Sequence, residues 1–206
     1  MMQIKVSGLG KKFQREWIFR NIDLALLQGE SYVLLGPNGS GKTTLMLILS
    51  GLLSPSHGAV RYYEADQEIP VEEYYIHQSI VAPYEELIEE FTLQELLDFH
   101  FSLKPPLNGI TKQEIIQAMY LEPARHKYIR QFSSGMKQRL KLGLAFYSHS
   151  QILFLDEPCS NLDARGIQWY KQEVSKVASE RIVLVCSNQP YEYEFVKHKI
   201  DIEQYK

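Results

Sequence analysis

The sequence predicts an α/β fold with a mostly parallel core sheet, an N-terminal antiparallel β part and a small helical subdomain. Three observations predict it. Short apolar runs alternate with helical patterns through SYVLL (31–35), TTLMLILSGL (43–52), ILFLDEP (152–158) and RIVLVCS (181–187). The first 35 residues alternate apolar and polar instead, as strands with one wet face do. Between 92 and 130 the texture turns helical and interrupts the strand–helix order.

Taken in order, KVSGL, NIDLALLQG and ESYVLLG read as two or three short antiparallel strands followed by the buried strand SYVLL. A glycine-rich turn leads into a helix ending near Gly51. SPSHGAVRYYEAD (54–66) is a turn and a strand, and YYIHQSIVA (74–82) reads as another strand. Thr92 with Glu95, and Thr111 with Glu114, have the spacing of helix-opening caps, separated by a break at PPLNG (105–109). Beyond FSSG a helix is expected to about Ser148. GIQWYKQEVSKVA (166–178) is helical, and KIDIEQYK closes the chain as a short edge strand.

Bulk properties exclude more than they assign. The 206 residues suit one domain, with 45% hydrophobic and 23% charged residues. A net charge of −3 supplies no argument for nucleic acid or an anionic membrane surface. The first residues lack a basic start and apolar run of the secretory kind, and TLMLILSGLL (44–53) is too short to span a bilayer. Any membrane role is therefore expected through a partner. Cys159 and Cys186 have no metal-type spacing and suit a reducing compartment.

The chemistry concentrates in two segments. GPNGSGKT (36–43) is a complete phosphate-binding loop between an apolar strand and a helix. Gly36, Gly39 and Gly41 let backbone N–H groups turn inward around phosphate. Pro37, Asn38 and Ser40 complete the loop, and Thr44 follows it. Lys42 can reach the β- and γ-oxygens, and the Thr43 hydroxyl can ligate Mg²⁺. ILFLDEP adds Asp156 as a metal anchor and Glu157 to polarise an attacking water. Read alone, that pair could equally cap a turn or bind a lysine. With the loop, it implies in-line phosphoanhydride hydrolysis in a P-loop NTPase.

The order GPNGSGKT, FSSGMKQR, ILFLDEP, SNLD (160–163) resembles the ATP-binding cassette family, the nucleotide-binding subunits of transporters. The resemblance implies one cassette over 1–206, with a helical subdomain at about 90–147 inserted in the core. It implies ATP and Mg²⁺, a head-to-tail dimer with a second copy, and a separate membrane permease that would hold the protein at the inner face of the cell membrane. Ser133 and Gly135 would contact γ-phosphate in trans, at the start of a helix at 136–148, with the serines before it standing open as donors. Read as residues alone, Ser133 or Ser134 could also cap that helix. Asp163 would organise the dimer seam, and Phe13, 29 residues before Lys42, would stack on adenine. As an aromatic in an early strand, Phe13 also suits ordinary packing.

Three departures from the family pattern stand out. The usual Leu-Ser-Gly-Gly-Gln is Phe132-Ser133-Ser134-Gly135-Met136. The usual glutamine after the first helix falls near Pro83, with Gln78 about five residues early and read as structural. The usual histidine is replaced by Asn188, which can donate to a γ-phosphate oxygen but cannot carry a proton at neutral pH. Leu87, Ile88 and Phe91 are candidates for permease contact or for core packing. A non-transport cassette ATPase and a nucleotide-binding scaffold with little turnover stay open as alternatives.

Overall fold

The computed structural model describes residues 1–107 and 109–206. Among the described residues nine strands form two sheets. β1 (Met2–Phe13), β2 (Glu16–Leu27), β4 (His57–Glu64) and β5 (Gln67–Ile69) make an antiparallel sheet ordered β2-β1-β4-β5. β3 (Ser31–Leu35), β6 (Gln78–Val81), β7 (Ile152–Asp156), β8 (Ile182–Cys186) and β9 (His198–Asp201) make a parallel sheet ordered β6-β7-β8-β3-β9.

The parallel sheet is covered on both faces, and its side chains alternate between two cores. Val33, Leu153, Leu155, Val183 and Val185 face one core. There they join the helices α3 (Leu93–Leu103), α4 (Lys112–Ala118), α5 (Ser134–Tyr147) and α6 (Ala164–Ala178). Leu34, Ile152, Phe154, Ile182 and Leu184 face the other core, against α1 (Lys42–Leu49) and the antiparallel sheet. The uninterrupted apolar runs of the sequence are strands wet on neither side.

The two predicted capping boxes are present. The Thr92 hydroxyl oxygen accepts from Glu95 N at 3.3 Å while the Glu95 carboxylate accepts from Thr92 N at 2.8 Å. Thr111 and Glu114 repeat the arrangement at α4. The break at PPLNG falls between these helices, and Asn108 within it lies outside the described residues.

Three expectations change. The N-terminal strands are not short pieces: each runs for 12 residues. Register shifts near Leu9 and Lys11, with Gly8 at φ 54°, break the alternation that makes them read as fragments. The stretch 74–82 is only half strand. Tyr74–His77 forms one helical turn, α2, and the strand begins at Gln78. The Tyr74 ring stacks on Tyr62 with centroids 3.6 Å apart, which holds that turn against β4. Third, the helix after FSSG opens at Ser134 instead of 136.

Leu87 and Phe91 pack partly against the helix-side core, whereas Ile88 is exposed. Cys159 and Cys186 are both buried free thiols. Among the described residues no helix is long and apolar enough to cross a membrane.

Candidate functional site

In a parallel sheet the carboxyl ends of neighbouring strands deliver their loops to one edge. Here β3 ends in the 36–43 loop, β7 in Asp156 and Glu157, and β8 in Ser187 and Asn188. A cleft of about 240 Å³ is lined by Asn38, Gly39, Lys42, Thr43, Asp156 and Glu157 among others. Gly36, Pro37, Ser40, Gly41 and Thr44 complete the loop and the start of α1. Gly41 sits at φ 107°, and a Cβ there would run into Ile18 Cγ2. That turn can only be made by glycine.

Lys42 is nearly buried, and its ammonium donates to Gly36 O at 2.7 Å and Pro37 O at 3.1 Å. The charge thus lies across the mouth of its own loop. Thr43 Oγ1 donates to Asp156 Oδ2 at 2.7 Å, so the two expected metal oxygens meet. Burial pushes the Asp156 carboxyl up, against the lowering effect of Thr43 and Lys42. Ser40 Oγ is buried beside Gly36 without a hydrogen-bond partner, a polar atom of the loop left unsatisfied. Inward-turned loop, free hydroxyl, lysine and paired hard oxygens fit a Mg²⁺-bound phosphate chain. Among the described residues no cluster of three or more His, Cys, Asp or Glu could hold a metal. A threonine–aspartate site of this kind does not need one.

Glu157 is exposed at the end of β7 with φ 45°, an uncommon conformation for a non-glycine. Its N–H donates to Cys186 O at 2.9 Å, which fastens the turn to β8. Opposite, Asn188 Nδ2 donates to Asn38 Oδ1 at 3.1 Å. Asn38, Glu157 and Asn188 share a cleft of about 370 Å³ with Ser160 and Asn161.

The other expected residues stand apart from the loop. Phe13 is 48% exposed at the end of β1, with the Lys11 ammonium 5.0 Å from its ring centroid. The hairpin residue lining the loop's cleft is Ile18, which the sequence reading missed. Asp163 caps α6, its Oδ1 accepting from Gly166 N at 2.7 Å. Ser133 corrects an expectation: its hydroxyl oxygen caps its own helix, accepting from Met136 N at 3.2 Å. Only its O–H remains to donate elsewhere. Gly135 also has a reason within the chain, since a Cβ would sit 3.0 Å from Asn161 O. Gln78 is structural, as read. It is buried, donates to Ser50 O at 2.8 Å and lies 2.9 Å from the Tyr62 hydroxyl.

The segment around Pro83 carries carboxylates where glutamine is usual. Glu85 accepts from Ala82 N at 3.1 Å, and Lys141 donates to Ala82 O at 3.3 Å. Burial outweighs that hydrogen bond and the Lys141 charge, and holds the Glu85 carboxyl up at about 7. The folded chain therefore binds this proton more tightly than the unfolded chain. The stability it contributes is present below the ordinary value of 4.5 and lost as pH rises through about 7. Between about pH 5 and pH 8 the urea midpoint of the wild type should fall relative to Glu85→Gln. Parallel curves would show that Glu85 is solvated.

Comparison with known proteins agrees with this geometry. A sequence model described as ABC transporter matches residues 19–160. An uncharacterized ABC transporter ATP-binding protein of Bacillus subtilis, YcbN, is 31% identical over 86% of this chain and 58% of its own length. The lantibiotic transport ATP-binding protein SrtF of Streptococcus pyogenes is 28% identical over 90% of this chain and 79% of its own. The chain thus spans little over half of the first relative. Among solved structures, an ABC transporter ATP-binding protein from Pyrococcus furiosus superposes with a TM-score of 0.81 at 20% identity, covering 99% of both chains. A dimeric post-hydrolysis ATP-binding cassette bound to ADP and Pi gives 0.79 at 21% identity, over 96% of this chain and 93% of that one. At those identities the structures establish the fold alone.

Proposed function

Because the chain belongs to the ABC transporter family, we propose that it binds and hydrolyses ATP to power a separate membrane permease. The observation that carries this reading is the convergence of Lys42, Thr43, Asp156 and Glu157 on one cleft at the ends of β3 and β7. We take the chain as one cassette, with the helical part at about 90–147 inserted into it.

Lys42 would leave its two carbonyls for the β- and γ-oxygens of ATP, the backbone amides of 36–44 holding the rest of the chain of phosphates. Thr43 and Asp156 would hold Mg²⁺, which when bound neutralises charge on the phosphate oxygens. Glu157 would accept the proton of the attacking water. Asn188 would orient Asn38 and donate to a γ-phosphate oxygen, so that hydrogen bonding alone replaces what histidine does elsewhere in the family. Phe13, exposed, is available to stack on adenine.

A second copy, arranged head to tail, would present Ser133, Gly135 and Asp163 at this nucleotide. The Ser133 hydroxyl can donate outward while its oxygen caps α5. The permease would dock in the groove of about 320 Å³ lined by Leu52, Tyr75, Leu87, His100 and Lys104. Docking there would place the protein at the inner face of the membrane.

A scaffold with little turnover is the second reading, favoured by Gln78 being committed to Tyr62 and Ser50. One experiment separates the two. Purified protein should release phosphate from ATP only with Mg²⁺, and sedimentation should show ATP-dependent dimers. Tight ATP binding without phosphate release would select the scaffold, and no ATP binding would sink both.

A further inference from the structure

Glu192 is 2% exposed, in the turn that follows Asn188. A carboxylate is rarely buried without specific partners, because the charge must be repaid by hydrogen bonds. Each of its oxygens finds one, on a different loop. Oε1 accepts from Cys159 N at 2.7 Å, two residues beyond Glu157. Oε2 accepts from the Ser187 hydroxyl, one residue before Asn188. Ser187 Oγ in turn accepts from Gln189 N at 2.8 Å, and the Glu192 carbonyl accepts from the Tyr170 hydroxyl of α6 at 2.8 Å. The loop after β7 is held from its other side as well, where Gln138 Nε2 of α5 donates to Pro158 O at 2.7 Å.

We propose that Glu192 is a positioning residue that fastens the loop after β7 to the loop after β8, so that Glu157 and Asn188 face one cleft. The proposal rests on the hydrolytic reading above, since only there do both residues meet the same phosphate. Glu192 touches no reacting atom; it acts through Cys159 N–H and Ser187 O–H. Burial pushes its carboxyl up and the nearby Glu157 charge pushes it further, while Ser187 and Cys159 pull it down. The two donors thus counter the tendency to protonate.

The test compares Glu192→Ala and Glu192→Gln with wild type in the full chain. Small misplacements of reacting groups cost up to about 100-fold, so Glu192→Ala should lower kcat about 10- to 100-fold with KM for Mg-ATP within about threefold. Glu192→Gln keeps an oxygen for Cys159 N–H and should return kcat to within about fivefold of wild type. Amide hydrogen exchange should rise in 157–163 and 187–189 of the alanine variant and stay unchanged in 36–44. An alanine variant with wild-type kcat overturns the proposal. So does exchange that rises evenly in all three segments, because that marks general destabilisation. If the wild type itself hydrolyses no ATP, the hydrolytic reading fails on its own. The exchange pattern then decides the anchoring separately: confined to the two loops it upholds the fastening, and absent there it overturns it. If the alanine variant does not fold, Ser187→Ala supplies the second measurement, because it removes one of the two bridges. It should raise exchange in 187–189 and lower kcat with KM for Mg-ATP within about threefold, and wild-type values of both would overturn the proposal.

Discussion

Glu157→Gln should lower ATP turnover by about 10²- to 10⁴-fold, the range that a positioned general base contributes, while ATP stays bound. Glutamine keeps the shape of the side chain and removes only its charge and its capacity to take a proton. No ion pair among the described residues uses the lost charge, and losing it eases the ionisation of Asp156 and Glu192. Glu157 is exposed, and its turn at φ 45° is held by its own backbone N–H on Cys186 O. Lys42, Thr43 and Asp156 make their contacts without it. Binding and chemistry should therefore separate. The variant incubated with Mg-ATP should elute at twice its mass, and denaturation should release ATP instead of ADP. Undiminished turnover would mean that another group polarises the water. A variant that stays monomeric in saturating ATP would count against the trans arrangement of Ser133 and Gly135.

What could be read from the sequence was whatever is written contiguously. GPNGSGKT and ILFLDEP each hold their residues within one strand end and its loop, so the linear order is already the spatial order. The capping boxes at Thr92 and Thr111 were legible for the same reason, because three residues span one helical turn. Failures came where a side chain's partner is distant in sequence. YYIH reads as strand from its aromatic and β-branched residues, and only the stacking of Tyr74 on Tyr62 shows why one helical turn wins. Ser133 was expected to stand open, yet a serine three residues before an unpaired helical N–H caps it unless something else competes. Gly135 has a reason in the chain that no local pattern shows, since a Cβ there would crowd Asn161 O at 3.0 Å. Ile18 and Glu192 carry no local signal at all. Their neighbours, Gly41 and Cys159, lie 23 and 33 residues away.

The same distinction governs the largest expected effect on stability, at Arg181. It is 3% exposed and follows α6, but its guanidinium closes the end of α5. Nη1 donates to Ala145 O at 3.0 Å and Ser150 Oγ at 3.1 Å, and Nη2 to Phe146 O at 2.8 Å and Ser148 O at 3.1 Å. The last carbonyls of a helix have no partner within it, and a cation there also meets the negative end of the helix dipole. Arg181→Met fills similar volume with apolar atoms but takes the donor from three buried carbonyls, while Ser150 Oγ keeps the Ser79 hydroxyl. Charge-assisted bonds of this kind are worth about 1.5–3 kcal/mol each when lost singly. Relaxation and water entry limit the sum, so a loss of about 3–5 kcal/mol is expected. For a domain of this size that lowers Tm by roughly 6–20 °C. Arg181→Lys should recover part of it, since one ammonium cannot span all four acceptors. Burial lowers the Arg181 pKa to about 10, so both folded and unfolded chains carry the proton below that. Above about 10 the unfolded chain binds more protons, and wild-type stability rises with pH there. At working pH, between about 6 and 9, the gap between wild type and Arg181→Met should therefore stay flat in urea titrations. A gap under about 1 kcal/mol would mean that water satisfies the end of α5 as well as the guanidinium does. The helix that carries FSSG at its start would then be anchored by its apolar face alone.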